Sequence, residues 1–232
     1  MMTKYIATNT LLESLRLFQA KVNGQTAIEE LTAEFKELAL VFLYGGYINV
    51  RNGYHIYIRT VEFYFHSEID SASSIKDPIV YHRNNRYING VAPYLPLMSL
   101  HAHASGFDIT FENEEEQYRA SALIRAYEVW DVEQKQYLRY DKNTQKFRLH
   151  ENGEPVWNDQ STYLYDFLNG FGTDGIKWES SKHSQTIDLK TAKRKGVYKS
   201  FDKENYMPKD ENGNKVIDDR QWSFTRQENI IP

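Results

Sequence analysis

Apolar residues recur at three- and four-residue steps through residues 10–43: Leu11, Leu12, Leu15 and Phe18, then Ile28, Leu31, Phe35, Leu38 and Phe42. That period lines them up on one face of a helix and predicts a helical N-terminal segment. Thr26, with Glu29 three residues later, has the spacing of a capping box at the start of a second helix, and Gly45-Gly46 ends it. From Tyr47 the pattern changes to strand, with β-rich stretches at 54–65, 107–111, 120–130 and 137–149 separated by polar turns. Asn52-Gly53 fits a tight turn before the first of these. Asp141-Lys142-Asn143-Thr144 and Glu151-Asn152-Gly153-Glu154-Pro155 have the composition of two further turns.

The segment 67–96 is rich in Ser, Asp, Asn and Pro, lacks periodicity, and is expected to be a long loop of the kind that binds or covers a ligand. The last third mixes a short helical stretch near 162–168, a Gly-rich turn, a basic run over 190–199 and a charged tail. Residues 220–226 are placed to return as a final strand. The chain contains no repeat and no convincing linker. The expected architecture is a single α+β domain over 1–232, in which a helical segment (1–46) precedes a curved, mainly antiparallel sheet core (47–232).

Composition adds limits. With 41% hydrophobic and 26% charged residues the chain is ordinary for a globular protein, and its 17 Tyr and 12 Phe favour sheet. No apolar run approaches the ~20 residues that cross a bilayer, and Met1-Met2-Thr3-Lys4 lacks the pattern of a signal peptide, so a cytoplasmic location without membrane contact is expected. Cysteine is absent, which removes disulfides, thiol nucleophiles and thiolate metal sites together. The net charge of -4 gives no global attraction to nucleic acid, so any such contact must be local.

The chemistry centres on Glu62, a lone carboxylate in the strand Ile58-Arg59-Thr60-Val61-Glu62-Phe63-Tyr64-Phe65. A carboxylate on the inward face of a sheet is costly unless something uses or neutralises it. Arg125, in the second apolar strand Ala122-Leu123-Ile124-Arg125-Ala126, is the matching candidate. Phosphate loops, dinucleotide fingerprints, zinc helices and the Gly-x-Ser-x-Gly elbow are all missing. His101-Ala102-His103 puts two imidazoles on one strand face, but a third ligand is not evident and no metal is expected.

Glu62-Phe63-Tyr64, a loop with Asp77-Pro78 and His82-Arg83, Ser105-Gly106-Phe107-Asp108-Ile109-Thr110-Phe111 and Leu123-Ile124-Arg125-Ala126-Tyr127-Glu128 follow one another in an order that resembles the 3-methyladenine (alkylpurine) DNA glycosylase family. The resemblance covers residues 47–130, with Ile-Arg-Ala-x-Glu its most specific part. It implies an alkyladenine DNA glycosylase-like fold and hydrolysis of the base–sugar bond of an alkylated or otherwise modified base, flipped out of DNA. Glu62 then matches the general base that activates water, and Arg125 the arginine that contacts the catalytic region and phosphate. Tyr64 matches an aromatic that stacks on the base, His82 a loop histidine near the sugar, and His103 the position of a second stacking tyrosine. The family's water-positioning Asn has no clear match, and Asp108 or Thr110 only partly replaces it. The implied enzyme is a monomer without cofactor.

Leu100-His101-Ala102-His103-Ala104-Ser105-Gly106 departs from the family's Tyr-Val-Tyr and Tyr-Gly-Met, so one stacking tyrosine and the residue that wedges into a duplex are not evident. Two alternatives therefore stand beside the glycosylase. One is a related fold that binds a nucleoside or single-stranded nucleic acid. The other is a non-catalytic protein-interaction domain, in which Glu62 and Arg125 are only a buried ion pair joining two strands.

Overall fold

The computed structural model describes residues 11–51, 53–77, 93–103, 106–159, 161–171, 175–181, 187–197, 210–214, 216 and 218–227, without the side chains of Ala102 and His103. Two helices, α1 (Leu11–Lys21) and α2 (Ile28–Tyr44), precede strands β1 (Gly46–Val50), β2 (Tyr54–Ser67), β3 (Leu100–His103), β4 (Gly106–Thr110), β5 (Tyr118–Asp131), β6 (Gln136–Asp141) and β7 (Lys146–Leu149). A third helix, α3 (Ser161–Asn169), is followed by β8 (Ile176–Ser180), β9 (Leu189–Ala192) and β10 (Ser223–Arg226). The strands form one curved, largely antiparallel sheet with the path β3-β4-β5-β2-β1-β8; β10 joins β2 to β9, and β6 joins β5 to β7. Among the described residues no helix is long and apolar enough to cross a membrane.

The apolar stripes read from the sequence are the buried faces of α1 and α2. Leu11, Leu15, Phe18, Leu31, Phe35, Leu38 and Phe42 are all buried, while Ile28 is exposed at the start of α2. Phe35 stacks on Phe63 of β2 at 4.7 Å and on Phe18 of α1 at 5.5 Å, and meets Trp222 edge-on at 5.0 Å. The helices thus cover one face of the sheet with an aromatic layer. The expected capping box does not form. Ala27 is the N-cap without a side-chain cap, and Thr26 Oγ1 instead accepts the Asn23 N–H at 2.9 Å, which stabilises the turn between the helices.

The backbone of the sheet is the fourteen-residue pair β2 and β5. Its register slips between Ile58 and Thr60 and back between Thr60 and Val61: Ile58 faces Tyr127, Thr60 faces Ala126 and Val61 faces Ile124. Arg59 is therefore the extra residue on β2 and Arg125 the extra residue on β5. A bulge holds two consecutive residues on the same side of a strand and re-aims them. Ile56, Ile58, Val61, Phe63 and Phe65 consequently keep to the helix-covered face, while Tyr57, Glu62 and Tyr64 fall on the other face with both arginines.

The stretch 137–149 is two strands joined at the turn expected at Asp141-Lys142-Asn143-Thr144, which the Asn143 N–H closes on Asp141 Oδ1 at 2.9 Å. Other strands extend beyond the stretches read from the sequence. β3, β8 and β9 lie in segments whose alternation is short or interrupted by polar residues. The described start of the 67–96 loop is a compact turn, in which the Ser67 N–H donates to the Ile75 carbonyl at 2.8 Å and Lys76 Nζ to the Ser67 and Ile69 carbonyls. Gly106, at φ 145°, lets α3 approach the sheet: a Cβ there would lie 2.5 Å from Ser161 Oγ, which accepts the Phe107 N–H at 3.0 Å.

Candidate functional site

The face of β2 and β5 turned away from the helices carries Glu62, 2% exposed. Its Oε2 accepts Arg125 Nε at 2.7 Å and the Tyr64 hydroxyl at 2.9 Å, and its Oε1 accepts the Lys195 N–H at 3.0 Å. Strand alternation brings Tyr64 there, and the bulge brings Arg125. Arg125 is the part of the cluster nearest solvent, with 23% of its side chain exposed, and its Nη2 donates to the Lys195 carbonyl at 3.3 Å. Burial alone would lower the Arg125 pKa, but the charges and hydrogen bonds of Tyr64 and Glu62 turn the net shift upward. The Tyr64 hydroxyl is pushed up by burial and by the Glu62 charge, so at neutral pH it is a donor to the carboxylate.

Beneath this cluster lies a second ionic layer. Arg194 is fully buried; it donates to the Phe63 carbonyl at 3.0 Å and to Asp218 at 3.1 Å, forms an ion pair with Asp77, and lies 4.6 Å from the centre of the Tyr64 ring. Asp77 also accepts the Phe65 N–H at 3.3 Å, and its own N–H donates to His66 Nδ1 at 3.1 Å. Asp218 is further held by Arg220. Burial alone would raise the Asp218 pKa, but the hydrogen bonds and charge of Arg220, with the charge of Arg194, bring it down to about 2. Val197 closes over Tyr64 and Leu123 as a small apolar cluster of its own, with Leu95 against it.

The two residues expected to work together, Glu62 and Arg125, are in direct contact, with Tyr64 joined to the same oxygen. Asp108 shares their face but not their contacts. It stands opposite Leu123 and His101, in the cross-strand row His101, Asp108, Leu123, Glu62, Ser223 and Ala192, so Leu123 separates it from Glu62. His103 is in β3 opposite Gly106, and its side chain lies outside the described residues, as does all of His82. Among the described residues no three His, Asp or Glu side chains are grouped to hold a metal.

Sequence reading missed Arg194, Asp218 and the main chain of Lys195. The run Lys193-Arg194-Lys195 was legible as basic, but only an in-out alternation within it, with Arg194 inward, could have marked the buried member. It also missed a second ionic centre on the same ribbon. Glu128 lies opposite Tyr57, accepts Arg226 Nη2 at 3.1 Å and is 3.5 Å from Arg59 Nε. All three residues are fully buried, and Arg59 is covered by the Trp157 ring at 4.2 Å. Burial raises the Glu128 pKa and lowers that of Arg226 to about 10.

Three clefts lined by described residues lie elsewhere. A cleft of about 980 Å³ runs along the β6–β7 hairpin beside Trp157, one of about 580 Å³ lies between that hairpin and α3, and one of about 440 Å³ lies between α1, α3 and β8. Glu62, Tyr64 and Arg125 line none of them. Comparisons with known protein families, with curated proteins and with solved structures return no match to this chain.

Proposed function

We propose that this chain is a DNA-base N-glycosylase of the alkyladenine DNA glycosylase-like fold, acting on an alkylated, cationic base in DNA repair. The observation that carries the proposal is the meeting of Glu62, Tyr64 and Arg125 on one sheet face, with Arg125 Nε 2.7 Å from the carboxylate across 63 residues of sequence. An ionised carboxylate offers about four acceptor positions. Three are filled here, which leaves one on Oε1 for a water. In the proposed step that water attacks C1′, its proton passes to Glu62 Oε1, the C1′–N bond breaks, and its electron pair neutralises the departing cationic base. The Glu62 charge also stabilises the oxocarbenium-like transition state.

Three donors hold the Glu62 carboxylate in one orientation. Such a site suits a leaving group that already carries positive charge and needs little push. Arg125 and the Lys195 N–H orient the carboxylate, and Tyr64 braces it. The proposed chemistry assigns no step to a cofactor, and its partner is DNA presenting an extruded base.

A second reading is favoured by the burial of Glu62, which is 2% exposed: a non-catalytic domain that binds a nucleoside, a single strand or a protein, with the ion pair as a strand clamp. One experiment separates the two. Wild type and Glu62→Gln are incubated with alkylated DNA, duplex and single-stranded, and released base and abasic sites are scored by mass spectrometry. Release that disappears in Glu62→Gln is the expected result. Absence of release from both strand forms by folded wild type would leave the second reading.

A further inference from the structure

The described segment 187–197 passes over the site. Residues 187–197 contain four cations, Lys190, Lys193, Arg194 and Lys195, and one acid, Asp188, in a chain of net charge -4. Arg194 is turned inward onto Asp77 and Asp218. Lys190, Lys193 and Lys195 are exposed, and none has a carboxylate partner among the described residues. Lys190 lies opposite Thr225, which lies opposite Thr60, so it stands on the same sheet face as Glu62. Lys195 is closer still, since its N–H and C=O are the groups bonded to Glu62 and Arg125.

We propose that this basic strap is the phosphate grip of the protein, and that its ligand is a polynucleotide rather than a single nucleotide. The inference rests on the glycosylase reading for the placing of the reacting sugar beside Glu62. Lys195 then holds the phosphodiester next to the reacting nucleotide, and Lys193 and Lys190 hold those beyond it. Lys190 and Lys195 are five residue steps apart, a reach of up to roughly 17 Å for extended chain. Lysines set at separate positions along the strap suit the consecutive phosphates of one strand, whereas a single nucleotide offers phosphate at one end only. The buried Arg194 anchors the strap from below, so the grip has a fixed position relative to the carboxylate. A local grip of this kind also answers the acidic net charge, because phosphate contacts act within about a Debye length.

The test reads binding by fluorescence anisotropy with a short labelled oligonucleotide, single-stranded and duplex, between about 50 and 200 mM salt. Lys190→Gln, Lys193→Gln and Lys195→Gln are made singly and together, and Lys142→Gln in the β6–β7 turn is the control. All four side chains are exposed, so their replacement leaves the fold intact. The triple variant is expected to bind at least on the order of tenfold more weakly at the low-salt end, with the log K against log salt slope flattened by about 0.7–0.9 for each phosphate no longer neutralised. Lys142→Gln should match wild type. Equal affinity and slope in wild type and triple variant would overturn the grip, as would an equal weakening in Lys142→Gln. Competition by a nucleoside monophosphate as effective as the oligonucleotide per phosphate would overturn the polynucleotide. Binding through the strap without base release sinks the glycosylase and keeps the grip; base release with strap variants that bind normally does the reverse.

Discussion

Glu62 and Glu128 occupy the two halves of one ribbon, on either side of its bulges, and both face away from the helices. Glu62 has one guanidinium, which reaches solvent, together with a phenol and a main-chain N–H. Glu128 has two guanidiniums, and all three of these side chains are buried. Counted over these described residues, the first cluster is neutral in sum and has an edge toward water; the second is positive in sum and sealed. Burial alone therefore does not tell the two carboxylates apart. What distinguishes Glu62 is an ion pair with one open side, which is compatible with both chemistry and modest structural cost.

The largest expected effect breaks the sealed centre. Glu128→Gln removes the carboxylate that sits between the buried guanidiniums of Arg59 and Arg226, which should cost about 3–5 kcal/mol in urea unfolding. Glu62→Gln should cost less than half of that, because Gln keeps an acceptor for Arg125 and the guanidinium can turn toward water. Equal costs for the two substitutions would erase the distinction between the open and the sealed centre.

Acid sharpens the comparison from beneath Glu62. Asp218 has a folded pKa of about 2, below its ordinary 3.8, so its stabilisation is fully present above the unfolded value and is lost as pH falls through the folded one. The difference corresponds to about 2 kcal/mol, disappearing between about pH 4 and pH 2. Asp218→Asn should flatten that part of the stability profile measured by chemical unfolding at each pH. An unchanged acid limb would place the acid sensitivity elsewhere.

The smallest effect concerns the phenol. Tyr64→Phe removes one of three hydrogen bonds to the carboxylate and should cost about 1.5 kcal/mol, because the ring still packs over Arg194 and against Val197. If it cost as much as Glu128→Gln, Tyr64 would be a structural keystone rather than a brace.

Much of this was legible because it follows from period. The three- and four-residue spacing from Leu11 to Phe42 gave two helices whose boundaries moved by only a few residues, and β2 and β5 followed from their dense β-branched and aromatic runs. A carboxylate in such a run drew attention to Glu62, and its contact with Arg125 was expected. The layer under it was not legible: Asp77, Arg194 and Asp218 are scattered over 141 positions in polar segments that look like solvated turns. Only tertiary folding reveals that they neutralise one another. Thr26 and Glu29 show the opposite failure, since a correct local spacing was overridden when Thr26 was used to close the preceding turn.

The paired bulges have a further consequence for how the chain reaches this structure. β2 and β5 are brought together from distant parts of the sequence, so their pairing carries the slow kinetics of non-local contacts. A chain that formed only one bulge would pair every later residue one place off, and a one-residue slip turns a strand's faces over. Glu62 and Tyr64 would then press into the aromatic layer under α2 while Phe63 faced outward. Each half of the ribbon is therefore productive only when both offsets have formed, so the ribbon is expected to zip as one cooperative unit, with the site completed in the same event that completes the core.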